Sequence, residues 1–126
     1  MKYFLAKTDP ETYSIDDLAR EKKTTWDGVK NPQALMNLAG MKKGEKLIIY
    51  HTVTEKAAVG TAHVVSVDAS NPKSPIVRIA PGKRLKQPKT LAEMREAPVF
   101  RGSLLFRQFR LSVVPLTETQ YEWLLS

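Results

Sequence analysis

Residues 46–67 read KLIIYHTVTEKAAVGTAHVVSV, and this stretch decides the fold class. Two runs, 46–52 and 57–67, are rich in β-branched and aromatic residues, and the polar Val53-Thr54-Glu55-Lys56 segment joins them. Such a pattern predicts an antiparallel hairpin. Gly60 sits in the middle of the second run, where a glycine weakens a strand unless something needs the space. A bulge, a barrel corner or a close ligand would each explain it, and a barrel corner is the expected cause.

Working outward toward the amino terminus, Tyr3, Phe4 and Leu5 form a short strand that ends in Thr8-Asp9-Pro10, because proline removes a donor and restricts the residue before it. Ser14 with Asp17 makes a capping box, and Ile15, Leu18 and Ala19 give one apolar helical face ending near Lys22 and Lys23. Residues 26–44, WDGVKNPQALMNLAGMKKG, supply a Trp-Asp-Gly turn and then Asn31 as N-cap with Pro32 at the first helical position. Ala34, Leu35, Leu38 and Met41 follow the helical period, and Gly40 is the expected left-handed stop.

Working the other way, 76–80 is a further strand, and the PGKRLKQPK segment after it is basic and turn-rich, a partly ordered strand or arm. Thr90 with Glu93 and Thr117 with Gln120 are capping boxes for short helices near 91–96 and 118–125. Between them RLSVV at 110–114 alternates like a strand and should stop at Pro115. Several short strands with helices inserted between them, without regular βαβ alternation, predict an α+β domain on a small curved sheet or barrel. With 126 residues, 1–126 is expected to be a single domain.

The chain carries 20 Lys plus Arg against 13 Asp plus Glu, a net charge of +7. Residues 73–110 hold ten basic residues and two acidic ones, so this half carries the surplus and should face a polyanion. Cysteine is absent, which excludes disulfides, thiolate metal sites and a Cys nucleophile. Two histidines, His51 and His63, do not make an ordinary zinc site, and no metal or cofactor is expected. The amino terminus lacks a long apolar segment and no apolar run approaches membrane-spanning length, so the expectation is a soluble cytoplasmic protein, monomeric and without a membrane partner.

Five ordered blocks resemble the EVE domain, a family of the PUA-like superfamily that also includes the YTH and ASCH domains. They are Tyr3-Phe4-Leu5-Ala6-Lys7-Thr8-Asp9-Pro10 with Tyr13-Ser14-Ile15-Asp16-Asp17-Leu18; Trp26-Asp27-Gly28-Val29-Lys30-Asn31 with Gln33-Ala34; Met41-Lys42-Lys43-Gly44-Glu45; Tyr50-His51-Thr52 with Val59-Gly60; and Arg110-Leu111-Ser112-Val113 with Pro115. The resemblance implies a PUA-like fold and binding of a modified nucleobase, chiefly a modified cytosine in DNA, in a pocket beside Trp26. Four residues depart from the family pattern. Pro32 stands in place of an aromatic, Leu35-Met36 in place of Arg-Asn, and Phe109 in place of the Ser that precedes Arg-Leu-Ser-Val.

A base read in this way leaves its stack and enters an aromatic pocket. Trp26, with Tyr50 or Tyr13, would stack on it. Asn31, Ser112 and Thr8 can both donate and accept hydrogen bonds, and the Asp27-Gly28 turn offers unobstructed backbone groups. His51 completes the candidate ligand-binding set. Lys30, Arg110, Lys83, Arg84, Lys86 and Arg107 are the candidate phosphate contacts. No nucleophile accompanies His51 in a recognisable motif, so the protein is read as a non-catalytic binder. Asp9 and Asp27 are read as turn-fixing rather than as a carboxylate pair. The alternatives are an RNA-binding module that recognises a modified base in tRNA, rRNA or a single strand, a small nucleotide-acting hydrolase, and a domain whose basic half meets an acidic protein.

Overall fold

The structure, a computed structural model, describes residues 1–108 and 110–126; Phe109, and with it that departure from the family pattern, lies outside the described residues. The chain runs β1 (Tyr3–Thr8), α1 (Ile15–Glu21), β2 (Thr24–Thr25), α2 (Pro32–Ala39), β3 (Lys46–His51), β4 (Ala57–Asp68) and β5 (Ile76–Thr90). After these come α3 (Leu91–Glu96), a 3₁₀ turn (Pro98–Phe100), α4 (Leu104–Arg107), β6 (Val113–Leu116) and α5 (Glu118–Leu125). The strands form one mixed sheet in the order β2-β5-β4-β3-β1-β6. Its single parallel pair among the described residues is β1 with β3, in register from Tyr3 opposite Lys46 to Thr8 opposite His51. A parallel pair needs a crossover, and α1, β2 and α2 supply it.

This is the expected α+β class, and the hairpin at its centre is antiparallel as predicted. All three capping boxes are formed, each with the side chain bonded to the N3 amide and the N3 side chain bonded back. Asn31 caps α2 by accepting from the Gln33 and Ala34 amides at 2.9 and 3.1 Å. Leu5, Leu47, Ile48 and Ile49 from the sheet form one buried cluster with Ile15 and Leu18 of α1 and Ala34 and Leu38 of α2. Among the described residues no helix is long and apolar enough to cross a membrane.

Four local expectations differ from what is found. Gly40 ends α2 at φ −85°, not in the left-handed region, so the helix closes with right-handed geometry. Gly60 lies at a break in strand register, and a Cβ added there would stand 1.9 Å from Ile15 Cδ1. The glycine therefore lets Ile15 of α1 pack closely on a bulged strand, and a Cβ there would force that side chain to move. Residues 81–89 belong to β5, which runs to Thr90 with breaks in its register against β4. Pro115 lies inside β6, opposite Phe4, and is tolerated because β6 is an edge strand with nothing to accept a further amide.

Candidate functional site

The turn that ends β1 is built by Asp9. Its carbonyl accepts from the Thr12 and Tyr13 amides at 3.0 and 2.9 Å, and its Oδ1 accepts from the Glu11 amide at 3.0 Å. This folds Tyr13 back over the strand end, where Thr8 Oγ1 donates to the Tyr13 carbonyl at 2.8 Å. The Tyr13 hydroxyl donates to Glu21 Oε1 at 2.5 Å, so the ring is fixed between β1 and the end of α1. Burial, reinforced by the Glu21 contact, pushes the Tyr13 hydroxyl up to about 12, so it remains a proton donor at ordinary pH.

Trp26 arrives from the other side. Thr24 and Thr25 pair with Ile79 and Arg78 of β5, and the Trp26 amide extends that ladder by donating to the Val77 carbonyl at 2.8 Å. The indole is only 8 % exposed, and it meets Tyr13 nearly edge-on, with ring centroids 6.3 Å apart and planes at 83°. After it the chain turns through Gly28 at φ +77°, in the left-handed region that favours glycine, with open space where a Cβ would lie. Ser112 comes from the strand edge, where its carbonyl accepts from the Lys7 amide at 2.8 Å.

These residues wall one recess of about 530 Å³, within the roughly 300–1,000 Å³ range of small-molecule sites. Six of the nine sequence-predicted ligand residues line it: Thr8, Tyr13, Trp26, Asp27, Gly28 and Ser112. The recess also takes in Lys7, Asp9, Thr12, Glu21, Thr24, Thr25 and Val29. Asp9 fixes its turn as expected, yet it and Glu21 also bring carboxylates to the wall. Lys7 is the one ammonium among the lining residues, and burial lowers its pKa. A recess lined by two rings at right angles, with donors and acceptors around it, suits a flat heterocycle that stacks on one ring and hydrogen-bonds along its edge.

The other three predicted ligand residues do not reach the recess. Asn31 Oδ1 is committed to capping α2. Tyr50 is 3 % exposed and lines a different cavity, and burial raises the pKa of its hydroxyl. His51 is 3 % exposed, and both its nitrogens are engaged. Nε2 accepts from the Ile15 amide at 3.1 Å, which leaves Nδ1–H to donate to Glu55 Oε1 at 2.7 Å. Of the predicted phosphate contacts, Lys30, Lys83, Lys86, Arg107 and Arg110 are exposed and none lines the recess. Arg84 is paired with Asp16 of α1 at 2.5 Å.

Among the described residues no group of three or more His, Asp or Glu stands together as metal ligands would.

The sequence model described as EVE domain matches residues 2–126. Thymocyte nuclear protein 1 of Homo sapiens is 29 % identical, over 98 % of this chain and 72 % of its own length. A solved structure of a protein from Leishmania major superposes with a TM-score of 0.91 at 30 % identity, covering 99 % of this chain and 92 % of that one. The crystal structure of the human THYN1 protein in complex with DNA containing 5-methylcytosine superposes at 0.85 with 29 % identity, covering 99 % and 96 %.

Proposed function

The chain belongs to the EVE domain family, and from that premise we propose that it is a non-catalytic reader that takes one modified base of DNA, a 5-substituted cytosine, into the Trp26–Tyr13 recess. One observation carries this reading: two aromatic rings at a right angle line a base-sized recess together with Thr8, Asp27 and Ser112. The complex of the human THYN1 protein with 5-methylcytosine DNA supports the choice of nucleic acid. Residues 1–126 would act as one domain, inside the cell where DNA is found.

The energetics are compatible with base extraction. Unstacking and unpairing a base costs about a few kcal/mol, and stacking on one aromatic side chain returns about 1–3 kcal/mol. Carboxylates are the natural acceptors for the cytosine exocyclic amine, and Asp9, Glu21 and Asp27 all reach the recess wall. A thymine carbonyl in that position would face the same oxygens and be repelled. A methyl group in an apolar niche is worth only about 0.8 kcal/mol, or about fourfold in affinity. A hydroxymethyl group adds a hydrogen bond, and its absence leaves a wall group unpaired, so discrimination on a polar mark should be larger.

Binding without turnover is supported by His51, which with Asp27 is one of two candidate general bases in the sequence. Both its nitrogens are spent on the fold, and it stands outside the recess. Titrating matched oligonucleotides that carry cytosine, 5-methylcytosine or 5-hydroxymethylcytosine tests the proposal. A rising order of affinity is expected, and equal affinities for all three would overturn it.

A further inference from the structure

Beside the base recess lies a second cavity of about 450 Å³, and Lys7 lines both. Its remaining walls come from distant parts of the chain: Tyr50 and Thr52 at the end of β3, Val53 and Lys56 of the β3–β4 turn, Leu91 and Arg95 of α3, and Leu105 and Phe106 of α4. Three of these residues are cationic, Lys7, Lys56 and Arg95, and no carboxylate is among the lining residues described. The base recess is the reverse, with three carboxylates and one ammonium.

The cationic groups are held in place. The Arg95 guanidinium lies over the Phe106 ring, 5.1 Å from its centroid, an arrangement that orients the planar fork while leaving its edge for an anion. Lys56 sits at φ +48° in a turn that also holds Val53 at φ +69°, and its carbonyl accepts from the Leu91 amide at 2.8 Å, which ties the turn to the start of α3.

We propose that this second cavity seats the phosphodiester and adjoining sugar-base of the nucleotide next to the extracted base, with Arg95 and Lys56 gripping the phosphate and Lys7 standing between the two sites. The proposal rests on the base-binding reading above and assigns its strand path. The charge pattern matches that path: an acceptor-rich recess for a base that presents donors, then a carboxylate-free cationic cavity for the anionic backbone. The apolar floor of Leu91, Leu105 and Phe106 suits a sugar or a base edge and would serve a bare inorganic anion poorly. None of the basic residues that the sequence put forward for phosphate lines this cavity.

The test measures binding of an oligonucleotide carrying one 5-methylcytosine, and of its unmodified match, to the wild-type chain and to Arg95→Ala, Arg95→Lys and Lys56→Ala across a salt series. Arg95→Ala should weaken both oligonucleotides about tenfold and reduce the dependence of log affinity on log salt by about 1. The ratio between modified and plain cytosine should be unchanged. Arg95→Lys should keep the salt dependence and recover only part of the affinity, since it retains the charge but not the planar fork. Lys56→Ala, in an exposed turn, gives the same salt readout should Arg95→Ala prove unstable. Wild-type affinity and salt dependence in both alanine variants would overturn the second site while leaving the base reading intact. Equal binding of the two oligonucleotides by the wild type, with the salt dependence still reduced in Arg95→Ala, would overturn the base reading and keep the backbone site. No binding of either oligonucleotide by the wild type would overturn both.

Discussion

Strands β1 and β3 run side by side and in register, yet their carboxyl ends serve opposite purposes. At the end of β1, Thr8 and the turn after it expose Tyr13 and a set of oxygens to an open recess. One strand over, Thr8 is opposite His51 and Lys7 is opposite Tyr50, and there His51 is consumed internally by Ile15 and Glu55, while the nearly buried Tyr50 faces the second cavity. Residue type does not separate the two. An imidazole and a phenol are as suited to base recognition as a hydroxyl and an indole. What sets His51 apart is that the fold has already engaged both of its nitrogens.

The largest effect should come from Trp26, which belongs to both the core and the recess. Trp26→Ala is expected to cost about 3–5 kcal/mol of stability, read by denaturant unfolding, and to abolish base-dependent binding. Trp26→Leu keeps an apolar side chain but removes the ring, so it isolates the stacking contribution; an unchanged affinity in that variant together with unchanged base preference would remove Trp26 from the site. A smaller pair of substitutions divides the two strand ends directly. His51→Ala leaves the buried Ile15 amide without its acceptor and should cost about 1–3 kcal/mol while oligonucleotide affinity stays the same. Ser112→Ala should do the opposite, moving stability by no more than about 0.5 kcal/mol and weakening binding about two- to tenfold. Reversal of either pattern would break the distinction.

What the sequence made legible was mostly local. Capping boxes need residues three apart, and all three of them formed. The central hairpin was readable because its signal is compositional. Asn31 was readable as a cap and misleading as a ligand for one and the same reason, since the oxygen that identifies the cap is the one the helix consumes. The Thr24-Thr25 strand gives no periodic signal in two residues, and it exists only because β5 offers an edge. Nothing around Lys7 marks it as a shared wall. Its position follows from β1 pairing with the residues beside Ser112, a contact between ends of the chain that no window of sequence contains. Arg95 and Phe106 likewise meet only in space.

Lys7 provides the smallest and most discriminating effect, because free and bound protein should respond to pH in opposite directions. Burial lowers its pKa below the ordinary lysine value of 10.5, so between the lowered value and that value the unfolded chain binds more protons than the folded one. Stability of the free protein should therefore rise with pH through this window, as the cost of holding a charged Lys7 in a half-buried position is relieved. Binding should fall through the same window, because the ammonium that faces the nucleic acid is lost. The phenols facing these cavities keep their protons in the folded protein, with Tyr13 pushed up to about 12 and Tyr50 also raised. They ionise first in the unfolded chain and oppose the stability trend there, so the Lys7 slope is read below the ordinary tyrosine value of 10.0. Lys7→Arg keeps its charge throughout and should flatten both trends. Denaturant unfolding and oligonucleotide titration at a series of pH values at constant ionic strength would read the two slopes, and slopes of the same sign would show that Lys7 does not stand between the two sites as a binding cation.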